Sequence, residues 1–359
     1  MFDVVAIGAG MAGLICARQL RLAGYSVAVV EKSRGAGGRV ATRRVQGTRA
    51  DHGARYLEPQ GDAVQGLIEA LVDRQLMKLW TDSVGEFRQG EISFIPNSCY
   101  VAPAGMNAVG KYIAEGLDIW YGRRVKAISR TDNQMWRLSL EVTDDNLELP
   151  QELFAKAVVV AIPAPQALMF LDSEIGLSPD FLDKLRSVEY DPCITVMAGY
   201  SAERELDLSN LNPQLKSVSF PDDSDLAWIG LDSSKRFEPQ QPVFVVHSTA
   251  NFADRYLEAA DLNIIGQELL DRASEHLMPW LKQPEWLQVH RWRYAFCRNP
   301  LPVSCLAAAG DLPLVCAGDL CGDGQIEAAL RSGLAAANWV NSQLQDLPLD
   351  SNLNCSVDS

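Results

Sequence analysis

MFDVVAIGAGMAGLICARQLRLAGYSVAVVEKSRGAGGRVATR, residues 1–43, places an apolar run at 4–7 directly before Gly8, Gly10 and Gly13. A second apolar run at 27–30 leads into Glu31, and a second glycine turn follows at Gly37-Gly38-Arg39. Strand, glycine turn, helix, strand and acid in this order form the fingerprint of a dinucleotide-binding unit. Gly8 permits the tight turn, Gly10 lets backbone approach a pyrophosphate, and Gly13 lets the helix pack on its strand. The helix N-terminus then offers its unpaired N–H groups to phosphate. Ala9, Met11 and Ala12 complete the turn, and Glu31, followed by Lys32, stands where an acid takes two ribose hydroxyls.

Residues 34–39 separate FAD from NAD. Glycines closing on an arginine leave backbone amides and one guanidinium free to clamp a second length of pyrophosphate or ribityl oxygen, which an NAD site rarely needs. Gly38 and Arg39 are the expected contacts. Next, Asp51-His52-Gly53-Ala54-Arg55-Tyr56 reads as a strand running into a turn, where Gly53 and Ala54 are small enough for a flat ring to approach. Far along the chain an apolar strand over 314–319 ends in Gly318-Asp319, ahead of an alanine-rich helix over 326–344 that starts at Ile326. An aspartate there accepts from ribityl or ribose hydroxyls. The helix N-terminus favours an anionic ring edge by up to about 1 kcal/mol.

At 359 residues with 47% hydrophobic and 22% charged, the chain suits two soluble domains able to bury a large cofactor. The net charge of −14 opposes nucleic acid and anionic membrane as partners, and requires a locally basic pocket for any anionic substrate. No apolar run approaches the ~20 residues of a membrane span. The first strand starts directly after Met1, so no signal peptide and a cytoplasmic location are expected. Eight scattered cysteines without CxxC pairs, and only four histidines, point to reduced thiols and no metal site.

The expected fold class is α/β: a Rossmann-type FAD-binding domain made of 1–60, 100–168 and 305–346, with an α+β substrate domain holding a mixed sheet made of 61–99 and 169–304. Apolar spacing predicts helices over 64–79, 107–115, 179–188 and 262–277. Short strands are expected from 79 to 100, then a meander of strands over 120–129, 135–142 and 147–156. The run 157–163, closed by Pro163, suits a parallel strand buried on both faces. Further strands are expected over 193–199, 226–231, 243–248 and 287–296, with a flexible polar tail over 347–359.

GAGMAG, EK followed by GGR, DHGARY, VAPAGM, VVVAIPAP, VVHSTANF, HRWRYA and AGDLCGDGQIEAALRSGLAAA occur in order along nearly the whole chain. In this it resembles the FAD-dependent amine oxidase superfamily and, through HSTANF and HRWRYA, its renalase branch. The resemblance implies non-covalent FAD held by Gly8, Gly10, Ala12, Gly13, Glu31, Arg39, Arg55, Tyr56 and Asp319, with Val125 also counted among the contacts. One departure stands out: the family's HGAQY pattern has glutamine where this chain has Arg55, a permanent cation able to steady a reduced flavin or hold a substrate phosphate, or one that points into solvent.

Amine oxidases of the superfamily usually pair two aromatic rings beside the flavin, one near the C-terminal FAD motif; here that motif reads Asp319-Leu320-Cys321-Gly322-Asp323. Renalases oxidise isomers of NAD(P)H whose hydride sits at the wrong ring carbon and pass the electrons to O2 as peroxide. A dihydropyridine becomes aromatic on losing hydride, so no catalytic acid or base is expected, only placement. In His290-Arg291-Trp292-Arg293-Tyr294 alternation sends His290, Trp292 and Tyr294 to one face and the arginines to the other. Trp292 and Tyr294 are the expected wall for a flat substrate, His247 a donor to its carboxamide or phosphate, and Arg55 a further contact. Lys235, Arg236, Arg291 and Arg293 are candidates for the local positive charge. The expected function is oxidation of 2- or 6-dihydro-NAD(P), by a monomer or homodimer; the alternatives are an amine oxidase or desaturase-like enzyme, and a flavin-carrying binding protein without turnover.

Overall fold

The computed structural model describes residues 1–142, 150–209 and 215–349. Its first glycine turn leaves the end of the central strand, Phe2–Ile7, which is flanked in parallel by Val27–Val30 and Glu152–Val160. Asp118–Trp120 and Leu314–Cys316 extend the parallel sheet on either side. Val4, Val5, Val158, Val159 and Val160 are fully buried, which is why these strands read as unbroken apolar runs. Helices Met11–Leu22 and Gln325–Gln343 pack together on one face. The other face carries strands Arg123–Arg130 and Trp136–Val142 with helix Pro179–Arg186.

Two boundaries differ from the sequence expectation for backbone reasons. The strand expected over 120–129 divides at Gly122, whose φ of +64° turns the chain; Trp120 stays in the parallel sheet and Arg123 begins the meander. Conversely, the strands expected over 147–156 and 157–163 are one strand, Glu152–Val160. Its first half pairs antiparallel with Trp136–Val142 and its second half lies in the parallel sheet; residues 147–149 lie outside the described residues.

The helix expected over 64–79 is Asp62–Asp73, after which Gln75 takes a left-handed φ of +59°. Leu79 then falls in strand Lys78–Arg88, which forms a long hairpin with Glu91–Val101 where short strands were expected. That hairpin is one edge of a seven-stranded mixed sheet. From the far edge its strands run Trp286–Cys297, Tyr190–Gly199, Val243–Ser248, Leu226–Leu231, Ser217–Ser219, then the hairpin. One face lies under helices Ala250–Tyr256 and Leu262–His276. The opposite face, through Met197, Trp228, Val243 and Val245, joins the core that contains the first helix. We keep the two-domain division as a proposal, with one change: helix Asp62–Asp73 packs on Gln325–Gln343, and so groups with the nucleotide side. Of the tail expected over 347–359, only 347–349 are described.

Candidate active site

The two N-terminal glycine turns are pressed together. Gly37 N–H donates to Ala9 O at 2.8 Å, and a Cβ added at Gly38 would lie 3.1 Å from Gly10 Cα. A Cβ at Gly13 would strike Gly8 O at 2.0 Å and one at Gly8 would strike Ala161 O at 2.6 Å, whereas at Gly10 it meets nothing within 4 Å. The cradle is therefore rigid at its base and open on the side where a pyrophosphate fits. Glu31, buried, holds this turn from below: its carboxylate accepts from Ala9 N–H at 2.8 Å and Ser33 N–H at 2.7 Å. Its backbone carbonyl accepts from Arg123 N–H at 3.0 Å, which ties in the strand carrying buried Val125. Exposed Lys32 donates to Gln166 Oε1 at 3.2 Å.

Arg39 and Asp319, 280 residues apart, form a bidentate pair at 2.5 and 2.7 Å. Arg39 also donates to the carbonyls of Tyr294 and Ala295 at 3.4 and 3.2 Å, so this guanidinium joins the nucleotide side to the end of strand Trp286–Cys297. Gly318 N–H donates to Ser332 Oγ at 2.8 Å, which fixes the turn ahead of helix Gln325–Gln343, where Ile326 occupies the first turn. Gly53 sits against Arg39 O, where a Cβ would come within 1.9 Å, and Ala54 N–H donates to that same carbonyl at 2.9 Å. Segments far apart in sequence thus converge on one cradle of backbone amides, one cation and two carboxylates, a donor set that fits FAD.

Above it lies the second sheet. Antiparallel pairing sets His290 opposite Thr195, Thr195 opposite His247, and His247 opposite Trp228, one row across four strands on one face. Trp292 lies on the same face as His290, with ring centroids 4.3 Å apart; it stacks on His52 at 5.4 Å and donates from Nε1 to His52 O at 2.8 Å. Tyr294 lies further along, its ring 5.7 Å from Tyr190, beside the Arg39–Asp319 pair rather than beside His247. The backbone after Ala54 carries Arg55 into this face: its Nε donates to His247 Nδ1 at 3.2 Å and its guanidinium lies 4.9 Å over Trp228. Tyr56 packs against Trp80 and Trp228.

Burial dominates the titration of this face. It holds His247 well below the usual imidazole range, helped by Arg55, Lys235 and His52. It pushes His52 down to about 3, with help from His290 and Arg43, and His290 down to about 4, with help from Arg43. All three imidazoles are neutral at pH 7. Burial likewise pushes the Cys321 thiol up to about 12, so it sits beside the C-terminal motif as an unreactive core side chain. Among the described residues no group of His, Cys, Asp and Glu is arranged to hold a metal. Among them, too, no helix is long and apolar enough to cross a membrane.

The four cations proposed from sequence as a basic pocket are spent elsewhere. Lys235 and Arg236 are locked with Asp51 and Asp232: Lys235 Nζ to Asp232 at 2.7 Å and Asp51 at 3.4 Å, Arg236 to the same carboxylates at 2.5 and 3.0 Å. Buried cations recruit carboxylates, and that requirement overrides a role toward ligand. Arg291 and Arg293 do point to the far face, as alternation predicts, where they bind Leu257 O and Glu258. The cations left near the site face are Arg55 and Arg43, the latter 3.5 Å from His290. Arg43, His52, Thr195 and Trp228 were missed as site residues. His52 lies within the DHGARY motif and Trp228 on a correctly read strand, so alternation was the available signal.

A profile of the NAD(P)-binding Rossmann-like domain matches residues 7–71, and one of the family described as flavin containing amine oxidoreductase matches residues 74–341. The chain is 27% identical over 219 residues to AofH, a candidate flavin-containing monoamine oxidase of Mycobacterium tuberculosis, a match covering 58% of this chain and 43% of that protein. It is 38% identical over 103 residues to putrescine oxidase of Kocuria rosea, covering 29% and 19%. The chain therefore matches less than half the length of these curated relatives. In fold it is similar to putrescine oxidase bound to putrescine, with a TM-score of 0.70 at 15% identity over 95% of this chain and 99% of that one. It is also similar to cyclohexylamine oxidase from Brevibacterium oxydans, with a TM-score of 0.68 at 14% identity over 96% and 99%. A two-part cradle suited to FAD beneath a mixed second sheet, together with a profile match over most of its length, makes this chain a member of the flavin-containing amine oxidoreductase family, with FAD as its cofactor.

Proposed function

We propose that the protein is an FAD-dependent oxidase of isomeric dihydronicotinamide dinucleotides, the 2- and 6-dihydro forms of NAD(P), in the manner of the renalase branch. The observation that carries this reading is the character of the second-sheet face: aromatic, with three imidazoles kept neutral, so that no group there takes up a proton near pH 7. Removing hydride from a dihydropyridine leaves an aromatic cation and asks for no base, so a face that only stacks and orients is sufficient. In this reading Trp292, held by its bond to His52 O, walls the ring. His247, whose Nδ1 is occupied by Arg55, presents Nε2–H to a substrate acceptor. Gly8, Gly10, Gly13, Glu31, Arg39 and Asp319 hold the cofactor. FAD, when bound, supplies the hydride acceptor and hands the electrons to O2 as hydrogen peroxide. Anaerobic titration of the purified holoenzyme with 2- or 6-dihydro-NAD(P) is expected to bleach the flavin's visible band stoichiometrically; an unchanged spectrum with FAD bound removes the proposal.

A second reading, amine oxidation, is favoured by what the relatives are: a candidate monoamine oxidase, a putrescine oxidase and a cyclohexylamine oxidase. Against it stand the C-terminal motif without an aromatic residue and the cation Arg55 on the face an ammonium would approach. Peroxide release across a panel of mono- and diamines decides between the two.

A further inference from the structure

Arg55 has no counter-ion among the described residues. No carboxylate among them is paired with it: its Nε is spent on His247 Nδ1, its plane lies over Trp228, and Tyr56 is alongside. Glu58 acts on it only through space and accepts from Asn97 at 2.5 Å. Arg55 donates to His247 Nδ1 and bonds the Tyr56 side chain, and beyond these acceptors two further donors stand close to it. His247, 4% exposed, carries its proton on Nε2 because Nδ1 accepts from Arg55; that Nε2 is buried with no partner among the described residues. Trp228, 1% exposed, has an indole Nε1–H in the same condition, and the two rings lie 5.2 Å apart. A half-buried guanidinium without a carboxylate, beside two buried N–H groups without acceptors, costs stability unless a ligand supplies negative charge and lone pairs. Neither a neutral amine nor an ammonium supplies both.

We infer that Arg55, His247 and Trp228 form an oxyanion subsite that takes an anionic group of the substrate. Resting on the function proposed above, that group is the phosphate on the nicotinamide side of the dinucleotide. Arginine where the family pattern has glutamine is then a specificity-determining change, since glutamine brings no charge to the subsite.

The test uses the FAD-loaded protein and R55Q, which restores the family residue and so is expected to fold; a melting temperature with FAD no lower than that of the wild type verifies this. Titration with inorganic phosphate, followed by flavin absorbance and tryptophan fluorescence, is expected to give a saturable change in the wild type, weakened on the order of ten- to a hundred-fold in R55Q. W228F, which removes the N–H and leaves a smaller aromatic ring beneath Arg55, is expected to show a smaller weakening of the same sign. With dihydronicotinamide isomers as ligands, R55Q is expected to lose affinity for the mononucleotide, which bears the phosphate, and to keep that for the riboside, which lacks it. If phosphate binds the wild type and not R55Q while no dihydronicotinamide bleaches the flavin, the subsite stands and the proposed function falls. If phosphate binds both equally or neither, the subsite is overturned; so it is if R55Q changes only the flavin reduction potential, which would assign the cation to the flavin.

Discussion

The nucleotide cradle and the second-sheet face solve opposite problems. The cradle is made of backbone: Gly8 and Gly13 with no room for a Cβ, and charges already held, Arg39 by Asp319 and Glu31 by the Ala9 and Ser33 amides. The face is made of side chains in register across four strands, with imidazoles held neutral by burial and two cations, Arg55 and Arg43, set beside imidazoles. The first tolerates almost no change of shape; the second is set by which charges it carries.

The largest expected effect tests the first half of that contrast. Gly13→Val puts its Cβ where 2.0 Å separates it from Gly8 O, so the helix must leave its strand; loss of bound FAD and of most folding stability is expected, read by flavin content and thermal melting. Next comes the joint between the regions. Lys235→Met leaves Asp51 and Asp232 buried against Arg236 alone, and a loss of about 3–5 kcal/mol is expected in urea unfolding. Asp319→Asn breaks one charge-assisted pair of a half-exposed arginine, so a smaller cost of about 2 kcal/mol is expected, appearing chiefly as weaker FAD binding by flavin fluorescence.

The fourth prediction concerns the face alone. His290 is depressed to about 4 in the folded protein against an ordinary 6.5. Between those values the unfolded chain binds the extra proton, so this residue's contribution is fully present above pH 6.5 and declines as the pH falls toward 4. His290→Asn is expected to flatten the fall of melting temperature across that window; an unchanged slope removes the assignment. Smallest is Thr249→Ala, at the N-cap of helix Ala250–Tyr256, where the hydroxyl accepts from Phe252 N–H at 3.2 Å. A loss of about 1 kcal/mol is expected, with FAD affinity unchanged because the helix lies on the far face.

Legibility in the sequence follows the same division. The glycine turns and the Gly318-Asp319 turn could be read directly because a tight turn is a local demand, met by particular residues at fixed spacing. Strands such as Leu226–Leu231 and Val243–Ser248 were also readable, since period-two alternation is local. The charges were not. Lys235 and Arg236 look free in sequence, but their partner Asp51 lies far away in the chain. Glu327 looks like an ordinary helix residue, yet it caps a different helix by accepting from Val64 N–H at 2.8 Å.

Sequence by itself determined a dinucleotide-binding unit, a returning C-terminal strand with its acid, and a second region rich in strands, because hydrophobic period and glycine placement act over a few residues. Only the tertiary structure decided which cations meet carboxylates and which meet imidazoles, because that depends on strand register and burial between residues far apart in the chain. Arg55 is the clearest case: a one-residue departure in a familiar motif when read along the chain, and a half-buried cation resting on an imidazole and an indole once His247 and Trp228 are packed around it.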